Sequence, residues 1–188
     1  TTPDLEELKW LQPGISWSPD GSKIVFASKS GKEDAIIIVD VNSKDYTKIP
    51  IDLDGIFTTS WHPKEDIILF AGHYKDRSDL YIYNIQSKKL VNLTNDIFSD
   101  TNPSWSPDGS NIIFSSDRNS FLKNNSSIEK ITSFQNDIFI LNYISKEIVE
   151  VTKTDFNEDF PIFSSTNKIY FTLNTIFCKF CHFKSVAK

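Results

Sequence analysis

Short apolar runs, each closed by polar turn residues, recur along the chain. Residues 23–28 (Lys-Ile-Val-Phe-Ala-Ser) and 35–39 (Ala-Ile-Ile-Ile-Val) are apolar at consecutive positions rather than at alternate ones. Residues 46–49 follow as a weaker run. Lengths of four to six with β-branched and aromatic residues predict short strands. Strands apolar on both faces must be covered on both faces. The same trio returns as 67–70, 80–83 and 90–93, and again as 112–114, 138–141 and 148–151. Between the first two runs of a set lies a polar turn, and between the last two an Asn/Ser/Lys-type turn. The pattern therefore predicts antiparallel meanders and no helix bundle.

A fourth element precedes each trio. Trp17, Trp61 and Trp105 stand at intervals of 44 residues, each just before a turn. Ser18-Pro19-Asp20-Gly21 and Ser106-Pro107-Asp108-Gly109 are tight-turn sequences. Proline presets its own φ, aspartate bonds nearby backbone, and glycine takes the left-handed position. The middle copy reads His62-Pro63-Lys64-Glu65, so a residue with a Cβ stands where glycine is expected; a left-handed Glu65 would carry strain of about 1 kcal/mol. A weaker fourth copy centres on Phe163, 58 residues after Trp105. The excess maps to an insertion at residues 119–133, because Asp137 lies 32 residues after Trp105 while Asp79 lies 18 after Trp61.

Four short strands per unit of about 44 residues is the period of a β-propeller blade. Stacking sheet on sheet covers both faces of the middle strands and leaves only short edges. The expected fold is all-β: about four tandem four-stranded antiparallel blades in one domain over 1–188, near 12–50, 55–95, 98–153 and 156–183. The tryptophans are expected to fill the gaps between neighbouring blades. The alternative role, an aromatic box that stacks a ligand, fits the strict period less well. Propellers have four to eight blades. The fourth copy lacks an Asp-Ile-Tyr strand after Phe171, so a portion of a larger propeller is the favoured arrangement. The other is a four-bladed ring in which residues 5–11 supply the missing outer strand.

The third copy reads Pro103-Ser104-Trp105-Ser106-Pro107-Asp108-Gly109, then Ile112-Ile113-Phe114, Asp137-Ile138-Phe139 and Val151-Thr152. This resembles the WD-like propeller repeat of the TolB family. The resemblance spans about residues 14–172 and is specific for the repeat. It implies a protein-binding scaffold of the bacterial envelope; TolB proteins are six-bladed, carry a small α/β domain and bind partner lipoproteins. This chain shows no α/β pattern. Similar blades also occur as gating propellers of prolyl-oligopeptidase-like and tricorn-like serine peptidases, which is the alternative setting.

Composition narrows the classes further. The chain has 188 residues, 39% hydrophobic and 24% charged, enough for a real core. The formal net charge of −5 offers no basic footprint, so nucleic acid is not an expected partner. No apolar run approaches the roughly 20 residues of a membrane span. The sequence holds no methionine, so either a removed leader or an excerpt of a longer chain is expected. The compartment implied by the resemblance is periplasmic or extracytoplasmic, with cytoplasmic as the alternative.

Candidate chemistry is sparse. Cys178-Lys-Phe-Cys181-His182 is a C-x-x-C-H, the pattern by which two thiols attach haem while the histidine ligates iron. Here it falls where a blade strand belongs, so a chance match is the adopted reading and a c-type haem protein the alternative. Three ligands would be too few for structural zinc. Asp52-Leu-Asp54-Gly55 faintly resembles a calcium loop but lacks the later ligands. No hydrolase elbow or zinc-protease motif occurs, and His62, His73 and His182 sit in no triad context. Asn92, Asn124 and Asn125 begin N-x-S/T triplets.

The insertion is the best candidate for individual function. Loops on repeat scaffolds often make contacts, and Phe121, Leu122 and Lys123 would anchor a partner; the plainer reading is a polar loop without a task. The expected function is non-enzymatic binding of a protein or peptide, with no catalytic residue, metal or cofactor.

Overall fold

A computed structural model describes residues 14–30, 33–119, 135–174 and 182–186. These residues form fifteen strands, arranged in two compact units, Thr1–Asn95 and Asp96–Lys188.

In the first unit, β1 (Ser16–Trp17), β2 (Lys23–Ser30), β3 (Glu33–Asp40) and β4 (Tyr46–Pro50) make one sheet in chain order. A second meander follows: β5 (Gly55–Trp61), β6 (Ile67–Tyr74), β7 (Arg77–Asn84) and β8 (Lys89–Asn92). The two-sided apolar pattern of the middle strands is used as anticipated. Val25, Ala27, Ile36 and Ile38 pack on Trp61, Ile68, Phe70 and Tyr81 of the second sheet. Phe26, Ala35 and Ile37 point to the other face of the first sheet. Fully burying each such Ile or Phe is worth about 1.5–3 kcal/mol. This sheet-on-sheet contact is the main source of the unit's stability.

The second unit repeats the plan. Its first sheet holds β9 (Asp100–Trp105), β10 (Asn111–Ser116), β11 (Asp137–Asn142) and β12 (Ile148–Glu150). Its second sheet has three described strands, β13 (Asn157–Phe163), β14 (Ile169–Asn174) and β15 (His182–Val186), where four were expected. Ile113 and Ile138 of one sheet bury against Ile169 and Phe171 of the other, with Phe163 beside them. Phe163 thus occupies the place of a tryptophan.

The turns behave as the sequence requires. Ser18 Oγ donates to Asp20 Oδ1 at 2.6 Å and accepts from Lys23 N at 2.9 Å, while Ser22 N donates to Asp20 at 3.0 Å. The same three bonds recur at Ser106, Asp108, Ser110 and Asn111. Gly21 and Gly109 have φ of 68° and 79°. The middle copy solves the turn differently. His62 is buried and its Nδ1 accepts from both Lys64 N (3.2 Å) and Glu65 N (3.0 Å), a different set of bonds from those of the serine hydroxyls. Glu65 is not among the residues with positive φ, so the strain anticipated there is absent.

Two observations depart from the expectations. Trp61 and Trp105 are 5% and 6% exposed, but Trp17 is 58% exposed and fills no gap. Trp61 sits on the preceding sheet of its unit; Trp17 opens the first sheet, and no earlier sheet exists among the described residues to receive it. The second departure lies in the first strand of every repeat. The residue three positions before the leading aromatic has a left-handed backbone: Gly14 (φ 121°), Thr58 (43°), Asn102 (51°) and Phe160 (51°). The ladder shifts register at this point in the second, third and fourth sheets, the signature of a β-bulge. Glycine and asparagine tolerate that conformation; threonine and phenylalanine do so at about 1–2 kcal/mol.

Candidate functional site

Within each of the three four-stranded sheets, the second strand turns into the third at the same end where the first strand begins and the fourth finishes. Aspartates concentrate at this end, and the structure shows what holds them. Asp34, Asp79 and Asp137 occupy one repeat position near the start of the third strand. Asp34 Oδ2 accepts from Ile56 N at 3.0 Å, which ties the first sheet to the start of the second. Asp79 accepts from Asn92 Nδ2 at 2.9 Å, and Asp137 from Thr154 N at 3.0 Å. A threonine after the fourth strand completes the device. Leu80 N donates to Thr94 Oγ1 at 3.1 Å and Ile138 N to Thr152 Oγ1 at 2.9 Å. The Asp and the Leu/Val-Thr signatures of the repeat are therefore structural clamps.

The third repeat adds a feature that no motif announced. Arg118, nearly buried, reaches Asp96 Oδ2 through Nη1 and Asp100 Oδ2 through Nη2, both at 2.7 Å. Its guanidinium lies 4.8 Å from the ring centre of Phe98. Asp100 is fully buried, so its charge depends on this partner. Next to it, Ser99 N donates to Asp117 Oδ1 at 2.9 Å, and burial raises the Asp117 carboxyl above its ordinary pKa. Asn119 Nδ2 donates to Asp137 Oδ2 at 2.8 Å.

Arg118 and Asn119 are the last described residues before 120–134. On the far side, Gln135 Nε2 donates to the Asp155 carbonyl (2.9 Å), Asn136 N to Asn157 Oδ1 (2.9 Å), and Glu158 N to the Asn136 carbonyl (2.8 Å). Both stems of the insertion are thus anchored in the framework of the second unit. Sequence reading missed the Arg118 clamp, because its partners lie 22 and 18 residues upstream and share no spacing rule.

The remaining candidates divide. Phe121, Leu122 and Lys123 lie outside the described residues, as do Cys178 and Cys181. The backbone of His182 begins β15 and pairs with Leu173. Asp54 caps the second hairpin, Oδ2 accepting from Lys75 N at 2.6 Å. Asn92 is committed at both ends of its amide: Oδ1 accepts from Thr94 N and Asn95 N, while Nδ2 is held by Asp79. That side chain is built into the fold rather than offered to a modifying enzyme. His73 Nδ1 meets Ser78 Oγ at 3.3 Å, a cross-strand pair of the β6–β7 hairpin.

At the opposite end of the sheets, each unit has a cleft where its two twisted sheets diverge. One is about 440 Å³, between Ile38, Ile49, Trp61 and Ile85 with Lys23 and Lys64 at the rim. The other is about 310 Å³, between Ile140, Val149, Phe163 and Ile169. Their equivalent placement marks them as products of the repeat geometry.

A family model described as TolB beta propeller domain matches residues 9–122, more than half of the chain. The chain belongs to the TolB beta-propeller family. Among solved structures, TolB from Acinetobacter baumannii aligns with a TM-score of 0.70 at 19% identity, over 92% of this chain and 39% of that one. A protein described as a TolB from Agrobacterium tumefaciens aligns with a TM-score of 0.73 at 20% identity, over 90% of this chain and 56% of that one. The tricorn protease aligns at 0.60 with 13% identity, over 88% of this chain and 15% of that one. At such identities the likeness speaks to the fold. No curated protein matches the chain in sequence. The chain spans 39% and 56% of the lengths of the two TolB structures, so it corresponds to part of a TolB-type propeller.

Proposed function

We propose that this TolB-type propeller portion is a non-enzymatic binding module that presents the 119–133 insertion to a protein or peptide partner, with Phe121, Leu122 and Lys123 as contact residues. The observation that carries the reading is the anchoring of both insertion stems. Arg118 and Asn119 on one side, and Gln135 and Asn136 on the other, spend hydrogen bonds and a buried ion pair on fixing where the segment leaves and returns. A loop held at both stems loses less entropy when it binds. Family membership supports a scaffold role and an extracytoplasmic setting. Rigid sheets that hold variable loops are a common basis for recognition.

The test is affinity capture from an envelope extract with the native chain and with Phe121→Ala/Leu122→Ala/Lys123→Ala. The reading expects a saturable partner to be lost with the triple variant while thermal unfolding stays unchanged. Equal recovery by both proteins would discard the insertion as the contact. An absorbance spectrum of the chain produced in a haem-attaching periplasm addresses the alternative at Cys178, Cys181 and His182. A Soret band there would replace the binding reading with a c-type haem protein.

A further inference from the structure

The clefts of the two units share their place in the repeat, but their side chains differ in kind. Both have apolar walls beside a leading aromatic. In the second unit the charged residues that line the cleft are Asp108 and Glu147. In the first unit they are two lysines, Lys23 and Lys64, with Asp20 and Asp66. Every residue lining this first cleft belongs to two four-stranded sheets and their turns, so both of its walls are whole.

Bonding within the fold decides which of these charges is available. Asp20 is consumed by its own turn: its carboxylate accepts from the Ser18 hydroxyl and from the N–H and hydroxyl of Ser22. Asp66 Oδ2 accepts from Gln86 Nε2 at 3.0 Å. Lys23 Nζ stands 4.0 Å from Asp40 Oδ2. Lys64 is exposed, and among the described residues no carboxylate pairs with its ammonium. The turn explains why. Position 64 corresponds to Asp20 and Asp108, whose carboxylates bond their own turns. In the second turn His62 Nδ1 is the acceptor instead, which leaves the side chain at position 64 without a local task. A cation therefore stands at the mouth of an apolar cleft.

The walls below it are open to a ligand. Ile49 and Ile85 are only partly buried, and with Ile38 and Trp61 they border about 440 Å³, an ordinary size for a small-molecule site. A cation over apolar walls suits an anion carried on a hydrocarbon body. A single negative charge fits best, because Asp20 and Asp66 would oppose a second. No arginine lines the cleft to offer a phosphate the planar fork it favours.

We propose that this cleft binds an apolar carboxylate, its hydrocarbon body against Ile38, Ile49, Ile85 and Trp61 and its head on Lys64, with Lys23 assisting. The same chemistry is offered by a free alkyl or aryl acid and by the apolar C-terminal residue of a peptide. The cleft lies in the first unit and the insertion in the second, so the site does not rest on the role proposed for that segment.

The experiment is an NMR titration of the isotope-labelled chain with phenylbutyrate and its neutral amide, and with the tripeptide Ala-Ala-Leu carrying a free or an amidated C-terminus. At least one of the two acids is expected to bind saturably, with a Kd of about 1 mM or tighter. It should shift the methyl groups of Ile38, Ile49 and Ile85 and the Trp61 indole N–H, which is buried without a hydrogen-bond partner. Amidation should weaken binding about threefold to fivefold, the size of an exposed ion pair, and Lys64→Gln should do the same, while Lys64→Arg binds like the native chain. Lys64 is exposed, so both variants should keep the native melting temperature. Tighter binding of phenylbutyrate assigns the site to a free acid and tighter binding of the tripeptide to a peptide terminus; either supports the proposal. No saturable shift with either acid overturns it. So do equal affinities for acid and amide, an affinity unchanged by Lys64→Gln, and shifts that map away from Trp61 and the three isoleucines.

Discussion

Replacing Trp61 and Trp17 in turn by alanine measures how much of the fold rests on sheet-on-sheet packing rather than on the repeat sequence itself. Both residues precede the same kind of turn, yet Trp61 is 5% exposed and Trp17 58%. Truncating a buried aromatic costs about 3–5 kcal/mol, part lost transfer energy and part cavity. Trp61 should fall at the lower end, near 3 kcal/mol, because its buried Nε1–H has no hydrogen-bond partner and its removal returns a desolvation cost of about 1 kcal/mol. Trp17 buries less than half as much of its surface, and a surface gap can collapse or fill with water. About 1 kcal/mol is expected there. Trp61→Phe should be milder than Trp61→Ala, at about 1.5 kcal/mol or less, since it removes the unpaired N–H and keeps most of the ring, as Phe163 does naturally. Urea unfolding followed by far-UV circular dichroism gives these differences. Equal costs for Trp17→Ala and Trp61→Ala would refute the reasoning, because burial would then not be what separates them.

Three further outcomes follow from particular contacts. Arg118→Met leaves the buried Asp100 carboxylate without its cation and should cost about 3 kcal/mol; Arg118→Met/Asp100→Leu should recover a large part of it, as a double-mutant thermal-unfolding cycle would show. Asp20 and Asp108 are held down to about 2 from the ordinary 3.8, first by the Ser18 and Ser106 hydroxyls and then by the Ser22 and Ser110 backbone N–H groups. A depressed carboxyl stabilises the fold above its unfolded pKa and stops doing so as pH falls through its folded value. Stability should therefore drop between about pH 4 and pH 2, and Asp20→Asn/Asp108→Asn should flatten that part of a pH series of melting temperatures. Phe160→Asn relieves a left-handed aromatic and should raise stability by about 1 kcal/mol in urea unfolding.

The chain's own letters determined a good deal. Strand positions, the 44-residue period, the two glycine turns and the two-sided apolar runs all follow from interactions within a few residues, and local chemistry is legible in order of sequence. The repeat Asp and the Leu-Thr signature were also visible, but their role as clamps emerged only when the fourth strand returned beside the third. Three things were decided by tertiary structure alone. A left-handed residue recurs at Gly14, Thr58, Asn102 and Phe160, with a bulge at the last three, and threonine and phenylalanine do not favour that conformation, so it is imposed by how first strands fit beside their neighbours rather than by side-chain preference. Trp17 and Trp61 hold the same repeat position, between a serine and a turn with proline, yet have opposite surroundings in space, since burial is a property of the sheet that arrives and not of the residue that waits. Arg118 finds Asp96 and Asp100 across two strands, and a charge pair of that kind exists only once the fold has expelled water from between its members.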